Sequence, residues 1–153
     1  MDNRVTKMVA LHEGYQQFVY DDATGEPIRP GSVVVGYPTV GYGLNLVGRG
    51  VLRNEAEYLL EKELETIYGE LDKDYAWFKD LSPPRQAVLA DMRYNLGREG
   101  LAKFRQTLSH VQMGRYEAAG DAMLVSKWAG QVKGRALTLS VMMRTGEWPS
   151  KLG

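Results

Sequence analysis

The sequence predicts an α+β fold: a small antiparallel β lobe set between an N-terminal helix and a larger helical lobe, with a cleft between the lobes as the natural place for a site. Three observations predict it. Residues 3–13 carry a short stripe, Val5, Met8, Val9 and His12, at helical spacing. Residues 15–50 instead hold short β-type runs broken by glycine and proline. From residue 52 onward the apolar residues return to a helical period.

Each element has a local reason. Gly14 follows the first stripe where a helix C-cap belongs. Counting Gly14, the stretch to residue 50 holds eight of the 17 glycines and three of the six prolines, so any strands in it must be short. Its β-type runs are Phe18-Val19-Tyr20, Ser32-Val33-Val34-Val35 and Thr39-Val40-Gly41-Tyr42, and GEPIRPG reads as a loop or hairpin tip. Leu52, Ala56, Leu59, Leu60, Leu64, Ile67, Tyr68 and Leu71 form one stripe of a long helix, and Asn54 with Glu57 suggests a capping box at its start. Ser82-Pro83 reads as a cap followed by proline in the first turn, leading into Val88, Leu89, Met92 and Leu96 and closed by Gly97. Phe104, Leu108 and Val111 mark the next helix, closed by Gly114, and Tyr116, Ala119 and Met123 another. Val132, Ala136, Leu139 and Met143 mark a fifth, ahead of Gly146. We read a single domain over 1–153, with the β lobe at about 15–50 and the helical lobe built from 1–14 and 51–153. Trp128 and Trp148 are expected as core anchors.

Composition narrows the function classes. With 44% hydrophobic residues the chain can bury a core, which argues against disorder. Nineteen basic residues against 19 acidic ones argue against a nucleic-acid partner, since polyanion binders carry a basic excess. The absence of cysteine removes disulfides and thiolate metal sites, and two histidines make a His-rich site improbable, so no metal or other cofactor is expected. No apolar run has the length of a signal peptide or a membrane span, so no membrane insertion is expected.

Chemistry that cleaves a glycosidic bond needs a proton donor on one face of the sugar and a second group on the other, usually two carboxyls. Glu13 at the end of the first helix, with Asp21 or Asp22 after the first β run, offers such a pair, nine positions apart if Asp22 is the partner. Taken alone, Glu13 is a solvated residue at a helix end and Asp22 in DDATG a turn residue.

The order of motifs adds to this. Leu11-His12-Glu13-Gly14-Tyr15, Val19-Tyr20-Asp21-Asp22 and Pro38-Thr39-Val40-Gly41-Tyr42-Gly43 stand in register with Asn54-Glu55-Ala56-Glu57 and Tyr94-Asn95-Leu96-Gly97 with Phe104. Ser126-Lys127-Trp128, Arg135 and Arg144-Thr145-Gly146-Glu147-Trp148 follow. Together they resemble the phage-type lysozymes of glycoside hydrolase family 24, which include the T-even phage endolysins, over nearly the whole chain. The resemblance implies a lysozyme-like fold and an N-acetylmuramidase that cuts the β-1,4 bond between N-acetylmuramic acid and N-acetylglucosamine in peptidoglycan and causes host cell lysis. It implies Glu13 as general acid and Asp22 with Thr39 as the groups that position a water, leaving Asp21 as the competitor for Asp22. Asn95, Arg135, Tyr42 and Phe104 are the residues expected on the substrate, Arg135 in a positional role and Tyr42, with Tyr37, as a lining residue of the cleft. Peptidoglycan glycan strands are the expected partner, for a monomer held in the host cytoplasm until release to the cell wall. A lytic transglycosylase and a non-catalytic peptidoglycan-binding protein are the alternatives.

The chain departs from the family in three places. Thr39 lies 17 positions beyond Asp22, so residues of roughly 25–37 lengthen the hairpin. Leu44 stands where many members carry His or Arg, and the net charge is zero where the T-even type is basic.

Overall fold

A computed structural model describes residues 3–150. The fold is α+β, with seven helices and a three-stranded antiparallel sheet among the described residues. The chain separates into two compact units, Met1–Tyr58 and Leu59–Gly153.

In the first unit, α1 (Asn3–Glu13) stops where Gly14 takes a left-handed backbone, φ +70°, and donates its N–H to Ala10 O at 3.0 Å. None of its residues is buried; Val5, Met8 and Val9 remain exposed. Three strands follow in the order β1 (Gln16–Asp21), β2 (Pro38–Gly41) and β3 (Leu44–Asn45). Tyr20 faces Thr39 and Asp21 faces Pro38, with an irregularity in β1 between Gln16 and Tyr20. Thr39 also faces Asn45, and Val40 faces Leu44.

Two expectations about this unit are corrected. Ser32–Val35 is not a strand: the N–H of Val35 goes to the carboxylate of Asp21 at 2.6 Å, and Val33 and Val35 are exposed. The GEPIRPG stretch does form one arm of a hairpin, since Ile28 N–H donates to Val19 O, Asp21 N–H donates to Glu26 O, and Tyr20 bridges Pro27. The side chain that closes the start of the helix lies two residues earlier than Asn54/Glu57 predicted. Glu55 takes the Leu52 N–H at 2.9 Å and also pairs with Arg49, so the start of α2 (Arg53–Asp74) is closed by a side chain reaching back.

In the second unit, the α2 stripe is buried only from its second half onward. Leu59 and Leu60 are exposed, Leu64 is half-buried, and Ile67 and Leu71 are buried. A 3-10 turn at Phe78–Asp80 leads to α3 (Pro83–Ala102). Ser82 is its N-cap residue as expected, but the hydroxyl makes no capping bond. Gly97, with φ 72° and ψ 175°, interrupts α3, so the helix stops there as expected and then resumes. α4 (Arg105–Gln112) and α5 (Tyr116–Leu124) follow.

The expected fifth helix is two. α6 (Lys127–Val132) is capped by the Ser126 hydroxyl, and α7 (Gly134–Thr145) starts after Lys133 turns the chain at φ 46°. The glycines at 130 and 134 flank that turn and lower the helical preference there. α5 packs on α7, where Ser140 Oγ donates to Gly120 O at 3.0 Å. Trp128 is buried as expected, whereas Trp148 is about half exposed because it lies beyond the end of α7. No helix among the described residues is long and apolar enough to cross a membrane.

The core is built from Leu71, Val88, Leu89, Met92, Leu101, Met123 and Met143, and Thr107, Ser140 and one cation are buried with it. Arg93 is buried and splits its guanidinium between Glu70 at 2.5 Å and Asp74 at 3.0 Å, while Arg98 also reaches Asp74. Burial alone would raise the Asp74 carboxyl, but the Arg93 and Arg98 guanidiniums outweigh it and hold it below its ordinary value. Removing the central cation strands the acids around it, so Arg93→Met is expected to lower the unfolding free energy by about 3 kcal/mol. Urea denaturation of the purified variant checks this; an unchanged midpoint contradicts it.

Candidate active site

The candidate acid sits at the last position of α1. Glu13 is exposed and its carboxylate lies against the turn joining β2 to β3. Gly43 in that turn has φ +75°, and a Cβ placed on it would stand 2.5 Å from Glu13 Oε2 and 3.1 Å from its Cδ. Glycine is required for that backbone, and the carboxylate end of Glu13 occupies the space a Cβ would take. Tyr15 and Tyr42 meet beside the same turn, with ring centroids 5.5 Å apart and planes tilted by 49°, and both are exposed.

Asp22 and Thr39 come together through one residue. Tyr37 N–H donates to Asp22 Oδ1 at 2.7 Å, and Tyr37 O accepts both the Asp22 N–H at 3.1 Å and the Thr39 hydroxyl at 3.0 Å. Asp22 is exposed and Thr39 buried. Among the described residues, no protein donor reaches the second oxygen of Asp22.

Asp21, the competitor, is placed differently. Its side chain is buried, with Oδ2 taking Val35 N–H and Oδ1 taking Gly36 N–H at 2.9 Å and Ala23 N–H at 2.9 Å. Its lone pairs are spent on the backbone, which leaves Asp22 as the acid of the pair with a face towards solvent. The Val35 N–H is the main cause that holds the Asp21 carboxyl below its ordinary value. Burial opposes it, and the Ala23, Gly36 and Thr24 amides add to it. Sequence reasoning left this anchoring role unread, although two acids in succession beside a lengthened loop were its visible signal.

The remaining residues expected on the substrate lie in the second unit. Asn95 Oδ1 accepts the Trp128 indole N–H at 2.8 Å, and Phe104 stands edge-on to Trp128 with centroids 5.8 Å apart. Phe104 and Trp128 line a cavity of about 380 Å³ rimmed by Lys103, Arg105 and Lys127. Arg135 is paired with Asp91 at 2.7 Å and lines a separate cavity of about 480 Å³ with Tyr68, Tyr94 and Trp148. Among the described residues no group of three or more His, Cys, Asp or Glu side chains is placed to hold a metal ion.

A mixed fold with a small sheet, an acid at the end of its first helix and a second acid tied to a strand threonine defines a lysozyme-like class of protein. The Phage lysozyme family matches residues 10–145, and the chain belongs to that family. It is similar to the pre-baseplate central spike protein Gp5 of Enterobacteria phage T4, at 28% identity over 163 residues that cover 95% of this chain and 28% of that protein. The chain thus spans less than a third of the length of this relative.

The folded value of Asp21 is depressed, so its stabilisation is fully present above the unfolded aspartate value of about 4. It is lost as the pH falls through the lower folded value. The Val35 and Gly36 amide proton resonances are accordingly expected to shift together in an acid titration, with a midpoint below the ordinary aspartate range. A midpoint at or above that range contradicts the arrangement.

Proposed function

We propose that this chain is a muramidase-type peptidoglycan hydrolase that cuts the β-1,4 bond between N-acetylmuramic acid and N-acetylglucosamine and so brings about host cell lysis. The observation that carries the reading is the tie between Asp22 and Thr39 through Tyr37, within a chain whose family match runs over 10–145 and so includes Glu13, Asp22 and Thr39.

Glu13 acts as general acid and delivers its proton to the leaving glycosidic oxygen as the bond breaks. Asp22 holds one carboxylate oxygen on Tyr37 N–H and keeps the other for a proton of the attacking water. The Thr39 hydroxyl gives its own proton to Tyr37 O, so its oxygen is left as an acceptor for the second proton of that water. With both protons directed, a lone pair of the water is aimed at the anomeric carbon, and Asp22 takes up the proton as the C–O bond forms. Attack from the face opposite Glu13 inverts the configuration at that carbon.

Tyr42, with Tyr15 against it, offers an aromatic face beside the acid on which a sugar ring can lie. Asn95 and Phe104 are assigned to the substrate through their shared contact with Trp128, and Arg135 to a positional role balanced by Asp91. The partner is the glycan strand. The protein acts as a monomer, is held in the host cytoplasm until release to the wall, and needs no nucleic acid or metal.

The decisive experiment is product analysis of purified cell wall digested by the wild type and by Glu13→Gln. The wild type is expected to release reducing muramyl ends, and Glu13→Gln to turn over about 1,000-fold more slowly while still binding glycan. Anhydromuramyl ends would make the enzyme a lytic transglycosylase, and binding without cleavage a wall-binding protein.

Gly43→Ala tests the placement of the acid. The variant is expected to lose about 1 kcal/mol of stability. Its turnover is expected to fall by at least about tenfold, because the new methyl displaces the Glu13 carboxylate. Wild-type turnover in this variant would detach Glu13 from its position on the turn.

A further inference from the structure

We propose that Asp21 is a positioning residue for the hydrolytic pair: by fastening Val35 and Gly36 it fixes Tyr37, and Tyr37 orients both Asp22 and Thr39. The proposal rests on the reading of Asp22 and Thr39 as the water-handling groups.

The argument begins with what holds the segment 33–37. Apolar packing does not, because Val33 is 89% and Val35 74% exposed. Sheet pairing reaches only its last residue, Tyr37, whose carbonyl takes the Asp22 N–H at 3.1 Å, and β2 begins at Pro38. What holds the rest is a run of three successive amides directed onto two successive carboxylates: Val35 and Gly36 onto Asp21, and Tyr37 onto Asp22. The fit leaves no slack. A Cβ on Gly36 would stand 2.7 Å from Asp21 Oδ1 and 2.7 Å from the Ala23 Cβ, and closer still to Asp22 Oδ1. The two acids and the backbone at 35–37 therefore form one packed unit, and Tyr37 cannot shift without moving Asp22 and Thr39 with it.

The anchor needs a carboxylate rather than any polar side chain. Oδ1 and Oδ2 of Asp21 both accept N–H groups. An asparagine there would turn one acceptor into an NH₂ that faces an amide donor, leaving that donor without a partner. Asp21 touches neither the water nor the sugar in this scheme; it acts through Tyr37.

The test is a double-mutant cycle on purified cell wall with Asp21→Asn, Asp22→Asn and the double variant, each rate corrected for the folded fraction. Asp21→Asn is expected to lower kcat by about 10- to 100-fold with KM changed less than about twofold. In the Asp22→Asn background the same change is expected to cost less than about threefold, because the group it positions is already disabled. Val35→Pro removes one donor to Asp21 while leaving both acids in place, and serves as the second variant if Asp21→Asn does not fold. It is expected to show the same fall in kcat.

A second readout does not depend on turnover. The Tyr37 amide is expected to be protected from hydrogen exchange in wild type and to exchange at least about tenfold faster in Asp21→Asn or Val35→Pro. Additive losses in the cycle, a loss explained by unfolding alone, or unchanged protection of the Tyr37 amide overturns the proposal. Failure of the underlying hydrolase reading looks different: the wild type itself releases no muramyl ends, while protection of the Tyr37 amide still reports on the positioning.

Discussion

The first unit depends on two neighbouring acids meeting three neighbouring amides. Residues 22–37 pass from β1 to β2 largely outside the sheet, so most of their N–H groups have no strand to bond to, and each one left buried without a partner costs stability. Asp21 ends β1 and Asp22 lies just beyond it, so their side chains leave the backbone in different directions. One turns inward, is buried and takes Val35 and Gly36; the other turns outward, stays exposed and takes Tyr37. The return of the chain into β2, and the address of Thr39 on it, follow from that closure.

The helical unit solves the same problem with cations. Arg85 donates to Met143 O at 2.9 Å and to Arg144 O at 3.0 Å, satisfying carbonyls that the end of α7 leaves open, and its guanidinium lies 3.6 Å over the ring of Tyr116. Arg93 joins α2 to α3 by gripping Glu70 and Asp74 from a buried position. In each case a fixed charge meets groups far away in sequence, which makes the packing specific in a way that an apolar core of interchangeable leucines and methionines would not.

That distinction explains what was legible in the sequence. Helical stripes and their closing glycines are local signals, and α1, α3, α4 and α5 lie where the periodicity placed them. Ser32–Val35 misled because β-branched residues score as strand wherever they stand, whereas the bond that decides their fate comes from a carboxylate 14 residues earlier. β3 has two residues, too few to carry a pattern, and the split at Lys133 depends on a backbone turn rather than on composition. Of the candidate site, the motifs offered Glu13, Asp22 and Thr39 by their order along the chain. The contact of Glu13 with Gly43 and the junction at Tyr37 could not, since both depend on chain segments brought together by the sheet.

The long connection between Asp22 and Thr39 gains a meaning from the same geometry. Lengthening a loop adds closure entropy slowly, so extra residues are tolerated wherever the ends are held. Here the ends are held at Ala23 on one side and at Val35 and Gly36 on the other, all by the one carboxylate of Asp21. The free span of the loop is thus confined between those anchors, and Tyr37, Pro38 and Thr39 are insulated from it. Changes in length or composition at 29–34, beyond the Glu26–Ile28 arm that bonds to β1, can alter what the exposed crest at Val33 and Val34 meets without moving the groups assigned to the water. A single buried acid next to an exposed one separates the solvent-facing crest of the connection from the residues proposed to handle the water.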